Sequence, residues 1–222
     1  MNRLSLELQR LYHAPEPERP RALMLELARP ADWGRLGAVW RGVQADLALP
    51  APAIAVSGRD GFQLWFSLAE PVPAAQGRAL LEGLGRRYLP EVAPARLRLA
   101  VGDEAPLPPW QPLPGQWAAF VAPDLAPVFA ETPWLDIPPG EEGQADLLTG
   151  LGRIAPAAFE QALAALAPAA TAPAMAPHRP TPDDAAPLEP RQFLLQVMRD
   201  ERAPLALRVE AAKILVQNGH SS

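Results

Sequence analysis

The chain has 222 residues, 49% of them hydrophobic, three His, no Cys and a formal charge of −5. That length holds one sizeable domain and an appendage. The absence of cysteine excludes disulfides, thiol catalysis and thiolate metal sites, and the acidic balance disfavours broad nucleic-acid binding, which depends on neutralising phosphates. A local basic groove stays open as an alternative. Lys213 is the only lysine, and with the abundant Ala and Pro this reads as the imprint of a GC-rich genome, so the Arg count carries little weight. His13, His178 and His220 are scattered, which argues against a His-based zinc site. No run approaches the roughly 18 apolar residues of a membrane span. Glu7 and Arg10 fall where a signal peptide needs an unbroken apolar core. The expectation is a cytoplasmic protein without membrane partners.

In chain order, residues 2–12 read as a short helix with Leu4, Leu8 and Leu11 on one face. A polar, Pro-rich spacer follows to residue 20. Residues 21–28 are almost continuously apolar, as in a strand buried on both faces. Asp32 is a good N-cap for a helix whose stripe is Trp33, Leu36, Trp40, Val43 and Leu47. Both tryptophans are expected to be buried. Residues 52–56 and 62–68 flank Ser57-Gly58-Arg59-Asp60-Gly61, a hairpin signal. Pro71 and Pro73 open a second helix with Leu80, Leu81, Leu84 and Tyr88 inward. Residues 96–101 alternate as a half-exposed strand. Residues 102–115 read as a loop, 116–121 as a further strand anchored by Trp117 and Phe120, and 143–166 as one or two helices broken near Pro156.

Strand, helix, strand, strand, helix, strand is the split βαβ order of ferredoxin-like and RNA-recognition-motif folds. The predicted class is therefore α+β: a four-stranded antiparallel βαββαβ core with both helices on one face, plus an additional strand and helices. The other face is expected to be covered by residues 116–166. The organisation expected is an N-terminal helix and spacer (1–20), the core domain (21–166), a disordered Ala/Pro linker (167–190) whose composition leaves too little to bury, and a C-terminal helical hairpin (191–218).

Phe62, Leu64 and Phe66 share one face of their strand and Gln63 and Trp65 the other. Core packing is the leading reading of these aromatics, with base stacking as the alternative. Ser57 and Ser67 have no His near them in sequence, which argues against a nucleophilic triad. The stretch 143–146 lacks the ligand spacing of a calcium loop.

The first strand with Glu26, the Ser57–Gly61 hairpin running into Leu64-Trp65-Phe66, and Pro71-Val72-Pro73 before the second helix together resemble the archaeo-eukaryotic primase and primase–polymerase superfamily over about residues 21–101. The resemblance implies two-metal nucleotidyl transfer, with an acid pair on the first strand, a His after the hairpin and a third acid further on. Here the acid pair falls at Glu26 and Ala28, the His position reads Gln63, and Asp103 stands near the third acid. Two catalytic letters are thus replaced, and the resemblance implies a degenerate, non-catalytic member. If the chain were active, Glu26, Gln63 and Asp103 would be its catalytic candidates, with Mg²⁺ or Mn²⁺; otherwise no cofactor or metal is expected. Ser57, Arg59, Gln63 and Trp65 are the candidates for nucleotide or nucleic-acid contact.

Phe193, Leu194, Val197 and Met198, followed by Leu207, Arg208 and Ala211, are similar to a short helical module of phage terminase small subunits. They are expected to engage a protein partner, with Arg208 at the contact. The leading functional expectation is a non-catalytic accessory or interaction protein linked to DNA replication or to prophage functions. The alternatives are an active metal-dependent nucleotidyl transferase and a DNA-binding packaging or replication adaptor acting through the C-terminal helices.

Overall fold

A computed structural model describes residues 2–16 and 18–167. The C-terminal candidates Phe193, Leu194, Val197, Met198 and Arg208, and the expected linker beyond Ala167, lie outside the described residues.

The fold is α+β. Strands β1 (Ala22–Ala28), β2 (Ala53–Val56), β3 (Gly61–Ser67), β4 (Leu97–Val101), β5 (Trp110–Leu113) and β6 (Gln116–Val121) form one six-stranded sheet in the order β4-β1-β3-β2-β6-β5. Every neighbouring pair is antiparallel. All seven residues of β1 and all seven of β3 are buried, which is why their sequences run almost without polar interruption. One face carries Leu23, Leu25 and Leu27 of β1 with Phe62, Leu64 and Phe66 of β3. It packs against α2 (Trp33–Ala45), α3 (Ala74–Tyr88) and α5 (Pro156–Leu166). The opposite face carries Met24, Ala55, Trp65 and Phe120 and packs against α1 (Arg3–Tyr12) and α4 (Glu141–Thr149).

The second face is therefore covered differently from the expectation. Residues 116–166 supply β6, α4 and Leu151 to it; the N-terminal helix, with Ala105 and Leu107, completes the cover. Its stripe of Leu4, Leu8 and Leu11 needs an apolar surface and finds it here. The C-terminal block divides because Ile154 bridges to Leu68, sending α5 to the face opposite α4. Helix α4 is tied to the sheet by Gln144. Its side chain accepts from the Phe120 N–H at 2.8 Å and donates to the Phe120 carbonyl at 3.0 Å. Strand β5 begins opposite Ala118, so Phe120 has no strand partner on that side and the buried amide replaces one.

Residues 102–115 are not a plain loop; they hold a 3-10 turn at Gly102–Glu104 and strand β5. The prolines at 106, 108, 109, 112 and 114 mask a hairpin arm at the sheet edge, where a missing N–H is tolerated. In α2, Asp32 does cap the helix, accepting from the Arg35 N–H at 3.0 Å. Trp33 and Trp40, however, are only half-buried, and Leu36, Val39 and Val43 fill the interior. The Trp40 indole donates to the Pro52 carbonyl at 3.1 Å, keeping its polar edge at the rim as an amphipathic ring does. Among the described residues no helix is long and apolar enough to cross a membrane.

Candidate functional site

The candidate site is the polar end of the second sheet face. Glu26 on β1 stands opposite Gln63 on β3 and Arg98 on β4. Glu26 is 6% exposed, Gln63 4% and Trp65 1%. Three side chains form a buried chain. The Trp65 indole N–H donates to Gln63 Oε1 at 2.9 Å, and Gln63 Nε2 donates to Glu26 Oε2 at 3.0 Å. The chemistry fixes the direction of the chain. An indole only donates, so Gln63 must turn its oxygen to Trp65 and its NH₂ to the carboxyl group. Tyr12 of α1 closes the far side, its ring edge-on to Trp65 at 5.9 Å and stacked on Phe120 at 6.4 Å.

Space around the carboxyl group is tight. A Cβ on Gly61 would sit 2.8 Å from the Leu27 carbonyl and 3.0 Å from Glu26 Oε1. Glycine at this position is what lets the hairpin close over the acid. Burial pushes the Glu26 carboxyl above its ordinary range, with the Gln63 hydrogen bond and the Arg98 charge opposing it. Such a group favours the folded state in acid, and that advantage is lost as pH rises through its raised folded-state pKa. Glu26→Gln should therefore gain stability relative to the parent as pH climbs from about 4.5 toward neutrality. Parallel urea titrations across that window test this; a difference that is constant with pH would contradict it.

The donor set does not fit a pair of catalytic metal ions. On β1 the next residue on this face is Ala28, opposite Gly61. The groups facing Glu26 are an amide N–H and a guanidinium-bearing Arg98 strand position, neither of which ligates a cation. Asp103 does not converge on Glu26. Val101, just before it, pairs with Leu23 at the start of β1, whereas Glu26 lies three residues further along, opposite Arg98. Asp103 instead lines a cavity of about 610 Å³ with Gln9, Tyr12, His13 and Arg21. Among the described residues no three His, Asp or Glu side chains are placed to share a metal ion.

The contact candidates separate in the same way. Ser57 Oγ is buried and accepts from the N–H groups of Arg59 at 3.2 Å and Gly61 at 3.0 Å, which stabilises the turn. Gln63 and Trp65 face the interior. Phe62 and Phe66 are 0% and 1% exposed, so the aromatics of β3 offer no stacking platform. Arg59 alone reaches the surface, its guanidinium 5.9 Å from the centre of the Trp110 ring. Sequence reasoning missed Arg98, Trp110 and Tyr12. The amphipathic stripe of residues 2–12 was the available signal for Tyr12; Trp110 was hidden by the prolines around it. No family model matches this chain, and neither a curated protein nor a solved structure matches it significantly.

Proposed function

We propose that this chain is a non-catalytic accessory protein, a degenerate relative of primase–polymerase domains acting in DNA replication or prophage functions in the cytoplasm. The partial strand order β4-β1-β3-β2, with α2 and α3 on one face, supports reading its core as a ferredoxin-like βαββαβ unit. The observation that carries the functional reading is the Glu26–Gln63–Trp65 chain. The position that would present a catalytic carboxylate is used internally, as the acceptor at the end of a buried hydrogen-bond chain. Two-metal transfer needs several convergent carboxylates to hold ions about 3.5–4 Å apart, and Ala28 and Gln63 leave Glu26 alone. The protein's work is then recognition.

The test is nucleotide incorporation on primed and unprimed templates with Mg²⁺ or Mn²⁺. No incorporation above background is expected from the full chain. Robust incorporation that Glu26→Ala abolishes would overturn the reading and make the chain an enzyme.

A further inference from the structure

The cavity of about 610 Å³ that Asp103 lines lies away from Glu26, toward the start of β1. Its size falls within the roughly 300–1,000 Å³ of small-molecule sites. One wall comes from α1 and the residues just after it, the other from the start of β1, the turn at Gly102–Glu104 and the segment beyond. Leu8, Tyr12, Pro20 and Leu107 make much of the lining apolar, and Arg21 and Asp103 bring one charge of each sign to it. An apolar hollow with a few polar groups placed in it is the ordinary make-up of a ligand pocket.

The two charges are not paired with each other. Neither Arg21 nor Asp103 forms an ion pair with any described residue. Arg21 is half-buried; its Nη2 donates to the Ala69 carbonyl at 2.7 Å, and its Nε–H is buried without a partner. A guanidinium held in a wall with no carboxylate paired to it favours an anion close by. The turn that carries Asp103 is fixed. Gly102 has φ +64°, and a Cβ there would lie 3.1 Å from Pro20 Cβ. Glu104 accepts from Arg78 at 2.7 Å and from the Val101 N–H at 3.1 Å, so Asp103 is the acid of that turn left without a cation among the described residues. Tyr12 adds a third group. It is 4% exposed, and its hydroxyl has no side-chain partner among the described residues. Burial holds the phenol well above its ordinary pKa, so it stays a neutral donor. A buried phenol ordinarily has a hydrogen-bond partner.

We propose that this cavity binds a small zwitterion with an apolar body, a free amino acid or a dipeptide. The ligand carboxylate lies toward Arg21 and the Tyr12 hydroxyl, the ammonium toward Asp103, and the apolar side chain against Leu8 and Leu107. Charge decides the class. A carboxylate alone would meet Arg21 but face Asp103, and an amine alone would do the reverse. A ligand that carries both charges satisfies both walls at once. The apolar share of the lining then favours a large apolar side chain over a polar one. The cavity does not draw on Glu26 and would serve an active or an inactive chain alike, so its test is independent of the incorporation assay.

The experiment is isothermal titration calorimetry of the full chain with phenylalanine and with the dipeptide leucyl-phenylalanine. Two further probes carry one charge each: N-acetylphenylalanine keeps the carboxylate, and phenylalaninamide keeps the ammonium. The expected result is saturable binding of at least one zwitterion with Kd below about 1 mM, and binding of both single-charge probes weaker by at least about tenfold. The tighter zwitterion distinguishes amino acid from peptide. Asp103 is exposed, so Asp103→Asn leaves the core untouched, and an unchanged melting temperature verifies it. That variant should bind the zwitterion at least about tenfold more weakly, while Asp124→Asn, at an exposed acid outside the cavity, binds as the parent does. No saturable binding of either zwitterion, equal binding by a single-charge probe, or full-strength binding by the Asp103→Asn chain overturns the proposal.

Discussion

Truncating Trp65 to Ala is expected to destabilise the domain by roughly 3–5 kcal/mol, the range for a large aromatic removed from a packed interior. Trp65 is 1% exposed and sits against Tyr12, which in turn stacks on Phe120. The side chain thus supports the contact between α1 and the sheet as well as its own strand. It is also the donor that orients Gln63. Trp65→Phe separates the two contributions. It keeps much of the packing but leaves Gln63 Oε1 without a partner, a cost of about 1–3 kcal/mol. Urea unfolding of both variants measures the difference. An Ala variant within about 1 kcal/mol of the parent would mean that α1 does not seal this face.

Gly58→Ala is expected to destabilise the domain by more than about 2 kcal/mol. Gly58 has φ +72°, and a Cβ there would lie 2.6 Å from both the Ala118 nitrogen and Pro112 Cγ. The left-handed conformation alone costs a non-glycine residue about 1–2 kcal/mol. The clash adds to it by pushing the β2–β3 turn off the β5–β6 hairpin. Gly115 is the control: it has the same φ of +72° but nothing within 4 Å of its Cβ position. Gly115→Ala should show the conformational cost only. Equal melting-temperature losses for the two variants would show that the hairpin turn is not pressed against β6.

What the sequence made legible follows from periodicity. Strand β1 matches its apolar run, β3 matches the stretch from Phe62, and α5 opens at Pro156, although α4 has already ended at Thr149. The alternation of Phe62, Leu64 and Phe66 against Gln63 and Trp65 correctly assigned the faces. Less legible was which element covers which face. A stripe such as Leu4, Leu8 and Leu11 shows that a helix must be buried but carries no address, because apolar contact is non-directional. The same limit explains Trp33 and Trp40, whose spacing marks the inner side of α2 while their size leaves them at its edge. The site was legible in part. Glu26 and Gln63 were visible as a substituted pair, but their direct hydrogen bond is a cross-strand contact that depends on register. Asp103 was placed by its proximity in sequence to β4, and the register puts it at the other end of the sheet.

In the proposed role the Glu26 carboxyl group accepts the Gln63 hydrogen bond internally and holds no metal ion. Paramagnetic broadening by Mn²⁺, with a nucleoside triphosphate present, tests it at the atoms concerned. The resonances to follow are the Gln63 side-chain NH₂ and the Trp65 indole N–H, both hydrogen-bonded and slow to exchange if the chain is buried as described. The expected result is that these signals stay sharp through the titration, with any broadening confined to exposed carboxylates. Broadening centred on Gln63 and Trp65, and removed by Glu26→Ala, would contradict the claim and restore this end of the sheet as a metal site.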